Sequence, residues 1–369
     1  MADEASGFGG GRLALVLVAG AVLSIAAGLI QLMAGAYGMS AAEAWAALTD
    51  PAVWGQPRVL AGYLLGDGLA TSLVGQAGQA DELPTATLVV WNVRLPRVIV
   101  GALVGVNLAL SGAIFQAVTR NELASPFILG VSGGAGLAVL VVLVLASHLV
   151  MYLPLIAALG GAAAFAAVYA IAWKGGTSPI RLVLAGVIVG TLCGSLQTSV
   201  FYAAEDLAVV KSAIAWTTGS LMGAGWREVR MVVLWTLLAA GLAIGFARQL
   251  NVLLLGERTA RALGMPVERV RFGLSAVAIL AAGAAISVSG LVGFVGLIVP
   301  HIVRNLVGSD YRRLLVGCLA AGPALLLVSD MAARLALSPT QMPVGVVTGL
   351  LGGPYFLYLM RRRGDLGQV

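Results

Sequence analysis

The stretch NVLLLGERTARALGMPVERVR, Asn251 to Arg271, lies between two long apolar blocks and decides how the rest of the chain is read. Glu257 to Leu263 are mostly good helix formers with an acid in the first turn, Gly264 suits the left-handed position after the last turn, and Pro266 blocks continuation. The pattern predicts a short capped helix, a turn, and the foot of the next apolar segment. Arg258, Arg261, Arg269 and Arg271 make this surface cationic, which in a membrane protein marks the cytoplasmic side. Segment 250–271 is therefore expected to be an inner-side elbow that a soluble partner can grip.

The flanking blocks set the fold class. Hydrophobic residues make up 60% of the 369 and charged ones 10%, too little polar side chain to coat a water-soluble body of this size. The solvent is lipid. A run of about 20 apolar residues crosses a bilayer. Ten such runs are expected near 13–36, 97–117, 124–148, 152–173, 179–202, 229–249, 272–290, 291–308, 314–336 and 343–360. The expected fold is all-α, a single polytopic transmembrane domain over 1–369. With the amino terminus inside, fifteen of the 22 Lys and Arg residues fall on inner ends and loops, so both termini are expected in the cytoplasm. Membrane orientation accounts for the net charge of +6, and no basic stripe interleaved with aromatics points to nucleic acid.

Between the first and second runs lies the longest polar stretch, 37–90, an extended external loop holding Pro51, Pro57, Pro84 and five acids. Within it 41–48 and 59–74 have amphipathic helical spacing and are expected to rest at the membrane surface. Residues 205–221 are too short to span, yet Leu207, Val210, Ile214 and Trp216 give them an apolar side, as in a short re-entrant or interfacial helix. Spans two to five and seven to ten run in opposite orientation, the arrangement of an inverted repeat, although no internal sequence match accompanies it.

Several polar or glycine-rich points invite a functional reading beside a structural one. Arg94-Leu95-Pro96-Arg97 stands at the outer mouth of span two, where Pro96 fits the first helical turn and two guanidiniums are expected to project outward. With Arg334 near the outer end of span nine, they offer three acceptor points for carboxylates of an external protein. The competing reading is snorkelling to lipid phosphates. Gly186, Gly190 and Gly194 recur every four residues on span five, either for close helix packing or as one wall of a pathway with Thr191 and Gln197. Ser289 to His301 is glycine-punctuated and ends in Pro300, so a break or kink is expected, with His301 in a backbone-bonded structural role. Cys193 and Cys318 sit alone in apolar spans and are expected to pack, and no metal site is expected.

The span centres carry no carboxylate, which argues against an ion-coupled secondary transporter; Asp330 lies near an outer end. No nucleophile stands with a base, and neither Lys174 nor Lys211 belongs to a phosphate-binding Gly-Lys-Ser/Thr pattern. Energy must then come from another chain. A scaffold or channel without a transport cycle is the remaining alternative, and it would tolerate change in the elbow.

Five blocks in order resemble the FecCD family of permease subunits: Arg94-Leu95-Pro96-Arg97; Asn121 to Pro126 with Leu129-Gly130; Leu255-Gly256-Glu257 with Ala260 and Leu263-Gly264; Gly296 through His301; and Met342 to Gly345 with Gly352-Gly353-Pro354. The likeness runs over roughly 90–363. The family commonly has Pro where Glu122 stands and Leu or Ile where Met342 stands. The resemblance implies a vitamin B12 permease-like subunit of a type II ABC importer for iron-siderophore, haem or vitamin B12, in a bacterial cytoplasmic (inner) membrane. It implies dimerisation with a second permease subunit and two cytoplasmic ABC ATPase subunits that use ATP and Mg, this chain binding no cofactor. It also implies a periplasmic or lipid-anchored substrate-binding protein. Gly256, Glu257, Ala260, Leu263 and Gly264 match the family's ATPase-coupling segment, and Arg94, Arg97 and Arg334 its docking positions. Span five resembles its pathway helix, and Thr177 and Ser178 its inner gate.

Overall fold

The computed structural model describes residues 2–35, 37–74, 83–173, 179–202, 216–337 and 340–362. Its helices are α1 (Ala2–Met33), α2 (Ala41–Leu48), α3 (Pro51–Trp54), α4 (Pro57–Leu65), α5 (Asp67–Val74), α6 (Thr85–Val89), α7 (Leu95–Thr119), α8 (Val131–Leu145), α9 (Leu153–Ala172) and α10 (Pro179–Tyr202). They continue with α11 (Trp226–Gly245), α12 (Ala247–Leu254), α13 (Glu257–Ala262), α14 (Val267–Ser289), α15 (Val295–Val307), α16 (Tyr311–Leu335) and α17 (Val344–Arg362). Seven helical stretches among the described residues are long and apolar enough to cross a membrane, and three shorter apolar helices, Val131–Leu145, Val295–Val307 and Val344–Leu359, occupy the other three expected places.

The short ones are short for local reasons. The expected third span begins not at 124 but at 131. Arg120 takes a left-handed conformation (φ 51°) at the end of α7, and the Arg120 and Asn121 N–H groups donate to the carbonyls of Ala117 and Gln116 at 3.2 and 3.1 Å. The chain then loops through Pro126 and re-enters a helix at Gly130 (φ 74°). The expected break before His301 falls at Gly290 to Phe294, both of positive φ, whereas Pro300 sits inside α15. Span two starts earlier than expected: α6, a π-helical turn over Val90–Arg94, and α7 join as one stretch from Thr85 to Thr119.

Burial separates centre from rim. In the most apolar window of Thr85–Thr119 and of Val267–Ser289, 72% of residues are buried, against 22% for Gly10–Met33. α7 is the axis, packed on α16, α14, α11 and α15. Lipid gives helices no hydrophobic reason to associate, so these crossings rely on close backbone approach at small residues. A Cβ on Gly112 would sit 1.8 Å from the Gly296 carbonyl oxygen; one on Gly105 would sit 2.4 Å from that of Gly322. The α9–α14 crossing is as tight, with a Cβ on Gly283 2.7 Å from the Ala158 Cα.

The loop 37–90 was expected to lay its apolar side on the membrane; part of that side packs on the bundle, while Trp45, Trp54, Leu64, Leu65 and Leu69 stay exposed. Val53, Val59 and Tyr63 are buried, and Tyr63 and Trp91 stack at 5.5 Å between ring centroids, with Trp226 5.8 Å from Tyr63. The Trp91 indole donates to the Ala47 carbonyl and that of Trp226 to the Trp91 carbonyl, at 3.0 and 2.6 Å. The expected re-entrant helix at 205–221 falls largely outside the described residues.

Replacing Gly112 with Ala is expected to force α7 and α15 apart at a cost on the order of 3 kcal/mol. Gly194, beside which nothing lies within 4 Å, should accept Ala with little change. Thermal unfolding of the two variants in detergent checks the contrast.

Candidate functional site

The elbow is built as its sequence dictates. Gly256 (φ 94°) turns the chain from α12 into α13, and the Ala260 N–H donates to the Gly256 carbonyl at 2.9 Å. At the other end Gly264 (φ 78°) donates its N–H to the Arg261 carbonyl at 2.9 Å while Met265 donates to that of Ala260 at 3.0 Å. This paired closure is a Schellman motif, and Pro266 follows it. Ala260 is fully buried, whereas Leu255 and Leu263 are 59% and 64% exposed. The leucines on either side of this six-residue helix are thus exposed, and its carboxyl-terminal end is closed by the backbone.

Glu257 does more than favour the helix start. It pairs with Arg261 four residues on, and its other oxygen lies 3.7 Å from an Nη of Arg271, which is nearly buried at the foot of α14. Arg271 also holds Glu268 at 3.0 Å, and the Tyr169 hydroxyl on α9 donates to Glu268. A polar chain therefore runs from α13 through α14 to α9. The Glu268–Arg271 step was visible in the sequence as an i,i+3 pair; Tyr169, a hundred residues away, carried no local signal.

Two further arrangements hold the elbow in place. Asn251 and Asp310 form a pin: the Asn251 amide donates to the Asp310 carboxylate at 3.1 Å and the Tyr311 N–H donates back to the Asn251 oxygen at 2.8 Å. Burial opposes charge on Asp310, but the Asn251 amide, the Arg312 N–H and the nearby Arg313 and Arg312 guanidiniums together hold its carboxyl below the usual range. The Arg120 guanidinium lies about 4 Å from where a Gly256 Cβ would be. Two residues on, Glu122 stands 3.4 Å from His301 Nδ1 and 3.6 Å from Arg304. The expected backbone-bonded His301 is instead a carboxylate partner, ringed by Tyr355 and Phe356 at 6.1 and 6.4 Å.

At the opposite end the three arginines do not project outward. Arg94, Arg97 and Arg334 are only 3%, 7% and 9% exposed. Arg97 grips Asp330 through two nitrogens at 2.7 and 3.0 Å and Gln341 at 2.7 Å. Arg94 donates to the carbonyls of Leu32, Met33 and Tyr37, and Arg334 to those of Gln31 and Ala34. All but Tyr37, which lies just beyond, are carbonyls where α1 ends, and two cations close them. Their signal was hidden because the acceptors are backbone groups some sixty and three hundred residues away.

The glycine stripe of α10 faces the chain's own interior. A Cβ on Gly186 would meet the Ile128 carbonyl at 2.2 Å, Gly190 lies against Gly130, and the Gln197 amide donates to the Gly133 carbonyl at 2.9 Å. Gly194 has open space beside it. This geometry is close packing on α8 and the loop before it. Sequence reasoning overlooked Ser195, Thr198 and Ser199, which with Thr191 lie on the exposed face of α10. Thr177 and Ser178 lie outside the described residues.

A bundle of ten apolar helices with a stiff, solvent-facing elbow wired into one of its two most buried spans defines a multi-pass transport permease. The family model of the FecCD transport family matches residues 22–362. The chain belongs to that family, and the match reaches well before residue 90 into the loop. It is 41% identical to a cobalamin import system permease protein of Halobacterium salinarum, over 76% of this chain and 75% of that one. It is 38% identical to an Fe(3+)-citrate import system permease protein of Bacillus subtilis (76% and 83%), and 37% identical to a hemin transport system permease protein of Yersinia pestis (84% and 97%). A solved inward-facing structure of a putative metal-chelate type ABC transporter superposes with a TM-score of 0.75 at 27% identity, covering 94% of this chain and 99% of that one.

Removing either member of the Arg97–Asp330 pair is expected to destabilise the permease by about 3–5 kcal/mol, because the survivor is left buried and unpaired. The double variant R97M/D330L should recover much of that loss. Unfolding measured across the four proteins of this cycle checks the coupling.

Proposed function

We propose that this chain is one half of a dimeric permease that moves a ferric siderophore or haem-like chelate inward across the cytoplasmic membrane. Two separate ATPase subunits would drive it by gripping the elbow, and an external binding protein would deliver the cargo. The observation that carries the reading is the pairing of exposed Leu255 and Leu263 with the Glu257–Arg271 link: a partner surface on one side of α13, a connection to a transmembrane helix on the other. Coupling needs only that the partner contact α13 differently in its two states. Relatives that import Fe(3+)-citrate and hemin favour an iron chelate; the cobalamin relative from Halobacterium keeps vitamin B12 as the second reading. Both termini inside and the 37–90 loop outside complete the orientation, supported by the charge asymmetry.

The exposed hydroxyls Thr191, Ser195, Thr198 and Ser199 suit a pathway wall shared with the second subunit better than the glycine stripe does, because they leave the bundle's own core. Among the three arginines, Arg94 and Arg334 keep the docking reading and Arg97 loses it. Their acceptors are neutral carbonyls, which an arriving carboxylate outcompetes through a charge-assisted bond; Arg97 already has its carboxylate.

In proteoliposomes holding the full transporter, E257K and L263E are expected to leave ATP hydrolysis running while cutting uptake about tenfold or more, with assembly retained. Uptake that stays proportional to hydrolysis would sink the lever. Comparing labelled ferric chelate, haem and cobalamin in the same vesicles identifies the cargo. Separately, R94Q should weaken capture of the binding protein by about tenfold at low salt and far less at high salt. An equal loss at every ionic strength would remove the electrostatic docking role.

A further inference from the structure

At the outer end of the bundle, where α9 and α11 approach, a cavity of about 420 Å³ is lined by Met151, Pro154, Arg227, Arg230, Met231, Leu234 and Trp235. Two arginines line the hollow beside otherwise apolar residues, and no acid is among its lining residues. Glu228, the one acid in that turn, already accepts from the Gly225 N–H at 2.8 Å. Arg230, a lining residue, is anchored by donating to the Tyr63 carbonyl at 2.6 Å. Arg227 is exposed and forms no ion pair among the described residues. Neither arginine belongs to the elbow or to the trio around Asp330.

Farther along α9 the same helix borders a second hollow. Pro154 is followed along the same row of α9 by Ala158, Ala162 and Ala166, which line this hollow of about 510 Å³ with Phe272, Ala276 and Leu280. That hollow is almost wholly apolar, and small residues along α9 and exposed Leu159 leave it open to the bilayer. A cation pair at the interface above an apolar track matches one chemistry: a phosphodiester with acyl chains. The outer cavity lies within the range of about 300–1,000 Å³ that holds drug-sized ligands, more room than a lone phosphate uses. Two neighbouring cations at a membrane surface attract anionic lipid in preference to zwitterionic lipid.

We propose that Arg227 and Arg230 form a specific site for the headgroup of an anionic phospholipid, with its chains lying along α9. The bound lipid would fill the gap between α9 and α11 and, through Arg230 and Tyr63, connect the bilayer to the external loop. This site does not depend on which cargo the permease carries. The orientation that makes it an outer-leaflet site is the one argued above.

Trp235 in the wall supplies a local probe. The intact permease is placed in phosphatidylcholine nanodiscs, and brominated phosphatidylglycerol or brominated phosphatidylcholine is titrated in. The Trp235 part of the quenching is obtained by difference from W235F. Phosphatidylglycerol is expected to quench Trp235 at a lower mole fraction than phosphatidylcholine. Arg227→Gln should reduce that preference about fivefold, and Arg227→Lys should retain most of it. Excess inorganic phosphate should leave the quenching in place. Equal quenching by the two lipids, or an unchanged preference in Arg227→Gln with the protein still monodisperse, overturns the site. Displacement by inorganic phosphate makes it a free-anion site and overturns the lipid assignment. Transport activity enters none of these readings, so the function proposed above can fail without touching them.

Discussion

The α7–α15 crossing at Gly112 and Gly296 sets the terms for the rest of the molecule. In water a bundle of this size would be held by hydrophobic burial, but in lipid an exposed leucine costs nothing, and association has to come from packing and from polar groups that find partners. α7 packs chiefly on α16, α14, α11 and α15, and where it crosses α15 and α16 there is no room even for a methyl group. Such contacts are stiff because the interatomic repulsion that excludes a Cβ also resists sliding. A stiff axis lets displacement at one end of the bundle reach the other without being absorbed on the way.

Polar side chains follow the same economy. The buried arginines of the described residues are all spent on backbone or carboxylate groups that lipid cannot satisfy: Arg94 and Arg334 on carbonyls at the end of α1, Arg97 on Asp330, Arg271 on Glu268. The rim around Asp330 is thus knitted by charge and the axis by glycine. At the rim a guanidinium holding neutral carbonyls remains a net positive centre, so closing a helix end and attracting an external carboxylate are compatible tasks for Arg94. They are incompatible for Arg97, whose charge is already cancelled.

What could be read in advance was whatever is local. The elbow's helix, its left-handed Gly264 and its stop at Pro266 all follow from adjacent residues, and their geometry came out as the spacing implied. The number and order of apolar helices were legible because lipid imposes a length on each. The errors came where a residue's partner is distant in sequence. An outward Arg94 was a fair reading of a proline-started helix until α6 and the π-turn extended that helix upward and the end of α1 arrived beside it. The glycine stripe of α10 announced a close approach, but only the fold shows that the surface approached is the chain's own Ile128–Gly130 turn. The external loop's amphipathic spacing was real; its apolar side had a choice between lipid and the rings of Trp91 and Trp226, which local sequence does not decide.

The elbow's construction suits the transmission of work proposed for it. Its link to α14 runs through Glu257, which is a third exposed and pairs with Arg271 at 3.7 Å, an arrangement worth little to folding stability. A link of that strength can stretch or exchange during a cycle without threatening the bundle. What resists instead is the backbone: the Schellman motif closes the end of α13, and the Asn251–Asp310 pin holds α12 against the start of α16. Under the coupling proposed above, pressure on Leu263 would reach α14 first among the apolar helices. The loop at Arg120 and Glu122 would sense the same motion from the other flank, through a guanidinium about 4 Å from a Cβ at Gly256 and a carboxylate shared by His301 and Arg304. A push at the elbow would thus divide between α14, directly, and α15 through Glu122, two helices that both pack on the α7 axis.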